Sequence, residues 1–109
     1  MENKIKQLRK GILELAILGC LYEQNHYGYS LVKQISGDGN IVLTEGTIYP
    51  ILNRLKKDKL VTTSLQESDR GPVRKYYSLT AAGRKRVEHM NQRWGQLRKA
   101  ITRIVEEVS

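Results

Sequence analysis

Gly46, Pro50, Asn53, Arg54 and Lys57 fall on one side of a helix wound at about 100° per residue, with Thr47 and Tyr49 flanking them. Ile48, Ile51, Leu52 and Leu55 take the other side. The amide, guanidinium, ammonium and hydroxyl groups of the polar face exchange hydrogen bonds and carry charge, and none is paired with a nearby base or orienting acid. Their chemistry is recognition rather than bond making. Further along, Arg70, Arg74 and Lys75 mark the tip and returning strand of a ribbon. A helix of this kind is expected to meet base edges and the ribbon to lie along phosphates, so double-stranded DNA is the expected partner. Lys56, Lys57 and Lys59 alone would read as a solvated face, and their alignment with Asn53 and Arg54 beside a basic hairpin is what favours DNA. Plainer roles exist for Thr47 as a helix-start hydroxyl and for Tyr49 as a packing residue.

Other chemistries lack their parts. His26 and His89 lie in different elements, Cys20 is the single cysteine, and no Gly-rich loop is followed by Lys-Ser or Lys-Thr. Neither a zinc site, a phosphate cradle nor a nucleophile with its base is expected, so the chain reads as a non-enzyme without metal or cofactor. Nineteen Lys and Arg against eleven Asp and Glu give a net charge of +8 over 109 residues, which suits a polyanion. Charge alone does not separate nucleic acid from anionic lipid. Lys4, Lys6, Arg9 and Lys10 ahead of an apolar run ending in Ile17-Leu18-Gly19-Cys20 imitate an export signal. Glu14 interrupts that run, which is also too short to span a bilayer, so a buried helix and a reduced, cytoplasmic setting are expected.

Positioning the recognition groups takes a framework, and apolar periodicity supplies it. Ile5, Leu8, Ile12, Leu15 and Leu18 follow helical spacing, widened by Leu13, Ala16, Ile17, Cys20 and Leu21, so a central helix is expected from about Lys4 to Tyr22. Gln24-Asn25-His26 breaks it. A second helix is expected over Tyr27 to Ser36, closed by a Gly-Asp-Gly-Asn turn and followed by an extended link, Ile41 to Leu43. Thr44 offers a hydroxyl cap to a third helix, Glu45 to Asp58, where Pro50 removes a donor and predicts an irregular first turn. Leu60 to Leu65 and Val73 to Leu79 read as a two-stranded wing, with at least one of the alternating Tyr76 and Tyr77 in the core. Thr80 then caps a last helix, Ala81 to Val108. Along it Val87, Met90, Trp94, Leu97, Ile101, Ile104 and Val108 recur as a heptad seam that wants a partner helix. The expected fold is mainly α with a β-hairpin wing: a winged helix-turn-helix over residues 1–80 and a C-terminal dimerisation helix over 81–109.

Gly11-Ile12-Leu13-Glu14, Tyr27-Gly28-Tyr29, Glu45-Gly46-Thr47-Ile48-Tyr49-Pro50 with Arg54-Leu55, and Arg74-Lys75-Tyr76-Tyr77-Ser78-Leu79-Thr80-Ala81-Ala82-Gly83 occur in this order. In these blocks the chain resembles the PadR family of bacterial transcriptional regulators, in its short branch. The resemblance implies a homodimeric repressor on a palindromic operator beside the genes it controls, with Thr47, Tyr49 and Arg54 at the DNA surface. It also implies a second role for Trp94, because some members of the short branch hold planar hydrophobic drugs between paired tryptophans. The seam itself makes Trp94 a packing residue. Lys59 departs from the pattern, since a Gly usually closes the recognition helix there. Two other uses fit parts of the chain: a ligand-responsive sensor turning on Trp94, and a basic protein-interaction or anionic-membrane-binding module using Arg84 to Arg103. The second would leave the wing without a purpose.

Overall fold

The structure is a computed structural model that describes residues 2–68 and 71–108. Its elements follow in the order α1 (Glu2–Glu23), β1 (His26–Tyr27), α2 (Gly28–Ser36), α3 (Glu45–Lys57), β2 (Val61–Ser68), β3 (Gly71–Leu79) and α4 (Ala81–Val108). Mainly α with a small antiparallel sheet, this is the architecture expected from the sequence. The core lies where α1, α2 and α3 meet over the base of the sheet: Ile17, Leu18, Leu31, Ile48, Leu52, Leu55 and Val61 are fully buried. Each such side chain contributes about 1.5–3 kcal/mol through removal from water. Only the second half of α1 is central, with Leu13, Ile17, Leu18 and Leu21 buried; residues 2–12 are exposed throughout.

The sheet has three strands in the order β1-β3-β2, rather than the two-stranded ribbon read from the sequence. His26 and Tyr27 were expected at a break and a helix start, yet they pair with Tyr77 and Tyr76, and α2 begins one residue later at Gly28. Pairing wins because it covers the N–H and C=O groups at the edge of β3 and sets the Tyr27 ring edge-on to Tyr76, centroids 5.3 Å apart. The wing strands also run further toward the tip than expected, since Gln66 pairs with Arg74. Polar residues extend a strand when the ladder gives their backbone a partner.

Helix ends fix where α3 sits. Ser36 Oγ donates to the Leu43 carbonyl and accepts from the Leu43 amide, each at 3.0 Å, which pins the loop leading into α3. Thr44 is the N-cap by backbone conformation, but its hydroxyl takes no amide; it lies 3.2 Å from the Thr47 hydroxyl. The first turn is mixed, with the amides of Thr47 and Ile48 both reaching the Thr44 carbonyl. Helix α3 nonetheless continues through Pro50, whose missing donor is tolerated on the exposed side. At the other end Lys59, at φ 61°, takes the left-handed conformation that glycine favours. The Leu60 amide reaches the Leu55 carbonyl and the Lys59 amide the Lys56 carbonyl, so a Schellman motif closes the helix without glycine. Thr80 caps α4 as expected: its hydroxyl accepts from the Gly83 amide at 3.0 Å and donates to the Lys59 carbonyl at 2.7 Å. A Cβ at Gly83 would collide with the Leu60 carbonyl, so this junction requires glycine.

Candidate nucleic-acid interface

Burial of Ile48, Ile51, Leu52 and Leu55 turns Gly46, Pro50, Asn53 and Lys57 outward, all four exposed. Lys56 and Lys57 sit in the last turn, where cations are favoured by the helix dipole. The two shoulders of this face differ. On one, Tyr49 leans on Gly28 at the start of α2: a Cβ there would fall 2.5 Å from its hydroxyl oxygen. Gly28 directly follows β1, which pairs with β3, so this shoulder lies at the base of the wing. Burial raises the hydroxyl pKa of Tyr77 above its ordinary value, and nearby Tyr49 adds to the rise. Tyr49 is still 42 % exposed, so packing and presentation coexist in one ring.

On the other shoulder Thr47 and Arg54 face α1. The Arg54 guanidinium lies 3.6 Å from the carboxylate of Glu14, and Arg86 of α4 donates to the same carboxylate at 3.1 Å. Nη2 of Arg54 is buried without a hydrogen-bond partner. Arg54 therefore stands lower on the face than Asn53 and Lys57, which a rotation of 100° per residue alone does not convey.

The wing carries its cations on opposite surfaces. Arg74 stacks on the Tyr27 ring, 4.4 Å from its centroid, while Lys75, one residue on, belongs to the other side of the strand. Both are exposed. Tyr77 enters the core and Tyr76 stays half-buried against Tyr27. Arg70 lies outside the described residues.

Along α4, Val87 is buried and Met90 half-buried, but Trp94, Leu97, Ile101 and Ile104 are exposed; the side chain of Val108 lies outside the described set. Ile5, Leu8 and Ile12 of α1 are exposed as well. An apolar cleft of about 420 Å³ runs between the two helices, lined by Leu8, Ile12, Leu15, Met90, Trp94 and Leu97 among others. Sequence reasoning overlooked one further feature: Lys6, Arg9 and Lys10 of α1 face α3 across a groove of about 450 Å³. Their spacing, one helical face away from Ile5, Leu8 and Ile12, was the available signal. Among the described residues no group of His, Cys, Asp and Glu could hold a metal, and no helix is long and apolar enough to cross a membrane.

A basic helix with one face buried on a helical core, flanked by a β wing, defines the winged helix-turn-helix class of regulators. The sequence model of the Transcriptional regulator PadR-like family matches residues 17–89. The chain belongs to that family, and so to transcriptional regulators rather than enzymes. It is similar in structure to a PadR-like transcriptional regulator of Bacillus cereus, with a TM-score of 0.83, 36% identity, and coverage of 91% of this chain and 96% of that one. A Streptococcus transcriptional regulator gives a TM-score of 0.82 at 37% identity over 90% of this chain and 96% of that one. The transcriptional regulator YqjI of Escherichia coli is 31% identical over 84% of this chain, which spans 43% of that longer protein.

Proposed function

We propose that the chain is a homodimeric repressor that occupies a palindromic operator beside the genes it controls. The observation that carries this reading is the geometry of α3, which buries one face completely and leaves Gly46, Pro50, Asn53 and Lys57 in solvent beside the cations of the wing. Asn53 and Lys57 reach base edges, Thr47, Tyr49 and Arg54 line the shoulders, and Arg74 and Lys75 lie along phosphates. Residues 1–80 bind DNA. Residues 81–109 are the dimerisation segment, and a second subunit covers the seam of Met90, Trp94, Leu97, Ile101 and Ile104, continuing from Val87, together with Ile5, Leu8 and Ile12. Exposed apolar side chains aligned over several turns support that pairing. Footprinting on duplexes selected from a random pool tests it: protection of two half-sites about one helical turn apart, weakened steeply by salt, is expected. Protection of a single asymmetric site by a monomer would overturn it.

The cleft between α1 and α4 favours a second element, relief of repression by a small planar hydrophobic ligand beside Trp94. A flat aromatic cation should quench Trp94 fluorescence saturably and release operator DNA, by preferring the DNA-free dimer. Trp94→Ala removes the single tryptophan and with it the fluorescence signal, so the readout there is release, which should be abolished while sedimentation still shows the dimer. Release that survives in that variant would put the effector elsewhere.

A further inference from the structure

Helix α1 presents Lys6, Arg9, Lys10 and Leu13 at helical spacing, and α3 presents Thr47, Pro50, Ile51 and Arg54 at the same spacing across the groove. Leu13 and Ile51, both buried, make its floor, so the four cations stand on its walls and no acidic side chain lines it. Glu14 lies outside that lining, held by Arg54 and Arg86. Arg9 reaches the Val42 carbonyl at 3.5 Å, which ties the row to the loop before α3. Among the described residues neither Lys6 nor Lys10 has an ion-pair partner.

The groove borders the Thr47 and Arg54 shoulder of α3, whereas the Tyr49 shoulder adjoins the base of the wing. Cations therefore bracket the recognition face on both sides. A major groove is bounded by two phosphate backbones, one on each side of an inserted helix.

We infer that Lys6, Arg9 and Lys10 form a second phosphate-binding element, which grips the DNA backbone on the side of α3 opposite the wing. This rests on the DNA reading of α3 and adds the strand and the residues that hold it. The basic run that imitates an export signal thereby acquires a use: compact, hydrated lysine charges on an exposed helix suit the sequence-independent grip of phosphates.

The test compares the full chain with Lys6→Ala combined with Lys10→Ala, and with the matching Gln pair in case the Ala pair alters folding. Binding is measured from 50 to 200 mM salt on the duplex selected by the parent and on a scrambled duplex. The log–log salt slope should fall by about 0.9 for each phosphate no longer neutralised, close to 3.6 for the four lysines of a bound dimer, on both duplexes. Affinity for both should drop in parallel, with their ratio unchanged. Lys99→Ala with Arg103→Ala, the same charge change on the projecting half of α4, should leave the slope alone. Parental slope and affinity in both α1 variants, alongside weakened binding by Lys57→Ala, would overturn the inference and spare the α3 reading. A parent that retains no duplex from the random pool overturns both. Binding to phosphatidylglycerol vesicles that depends on Lys6 and Lys10 while duplex binding does not would assign the row to lipid instead.

Discussion

Lys59 is the one described residue other than glycine with positive φ, at 61°, and it closes the recognition helix. A side chain in that conformation costs about 1 kcal/mol relative to glycine, so Lys59→Gly should raise stability by roughly that amount in chemical denaturation. His26 makes a different prediction. Its ring is buried; Ser30 Oγ spends its proton on the Tyr27 carbonyl, so Nδ1 of His26 donates to that hydroxyl at 3.0 Å and Nε2 is left without a partner. Burial lowers the pKa below the ordinary 6.5, against a smaller opposing pull from Glu23. The unfolded chain therefore takes up a proton near pH 6.5 while the folded one resists. Stability is retained above that pH and falls as pH drops below it, by at most about 1.4 kcal/mol per pH unit. Denaturation midpoints between pH 7 and 5 should decline less steeply in His26→Gln. For DNA, Asn53→Ala should reduce discrimination between selected and scrambled duplexes by about 1–3 kcal/mol, whereas Arg74→Ala should weaken both alike. Competition binding separates the two patterns.

Among the elements, α1 does the most varied work. Its second half fills the core, one face of its first half offers Ile5, Leu8 and Ile12, and another offers Lys6, Arg9 and Lys10. Glu14 stands where α1 meets α3 and α4, holding Arg54 and Arg86 on one largely buried carboxylate. Glu14→Gln would leave two guanidinium groups facing each other without their counter-charge. A loss of roughly 1–3 kcal/mol follows, discounted from a fully buried pair because Arg86 is half exposed. Urea denaturation checks it, and Arg86→Ala in the Glu14→Gln background should recover part of the loss. The buried face of α3 and the Thr80 cap were legible because periodicity and capping are local. The strand at His26 and Tyr27 was not, because two residues carry no periodic signal and their partners lie about fifty positions away in sequence.

At the scale of the whole molecule, α4 leaves the core after Met90 with its apolar seam bare, which gives the chain its 55 Å length against 29 and 25 Å in the other directions. On the proposed homodimer, Leu97→Glu together with Ile101→Glu should yield monomers and abolish operator protection, since two half-sites would need two recognition helices. Sedimentation and footprinting on one preparation decide it. By itself the sequence determined the order of the helices, the wing, the buried and exposed sides of α3, and the seam of α4. Each is written in side chains a few residues apart, within the reach of one element's own geometry. Tertiary structure alone decided that Arg54 turns to Glu14, that Tyr49 leans on Gly28, that β1 completes the sheet, and that the cations of α1 line the groove beside α3. These depend on which helix faces which, an outcome of packing the whole core at once that no local spacing encodes.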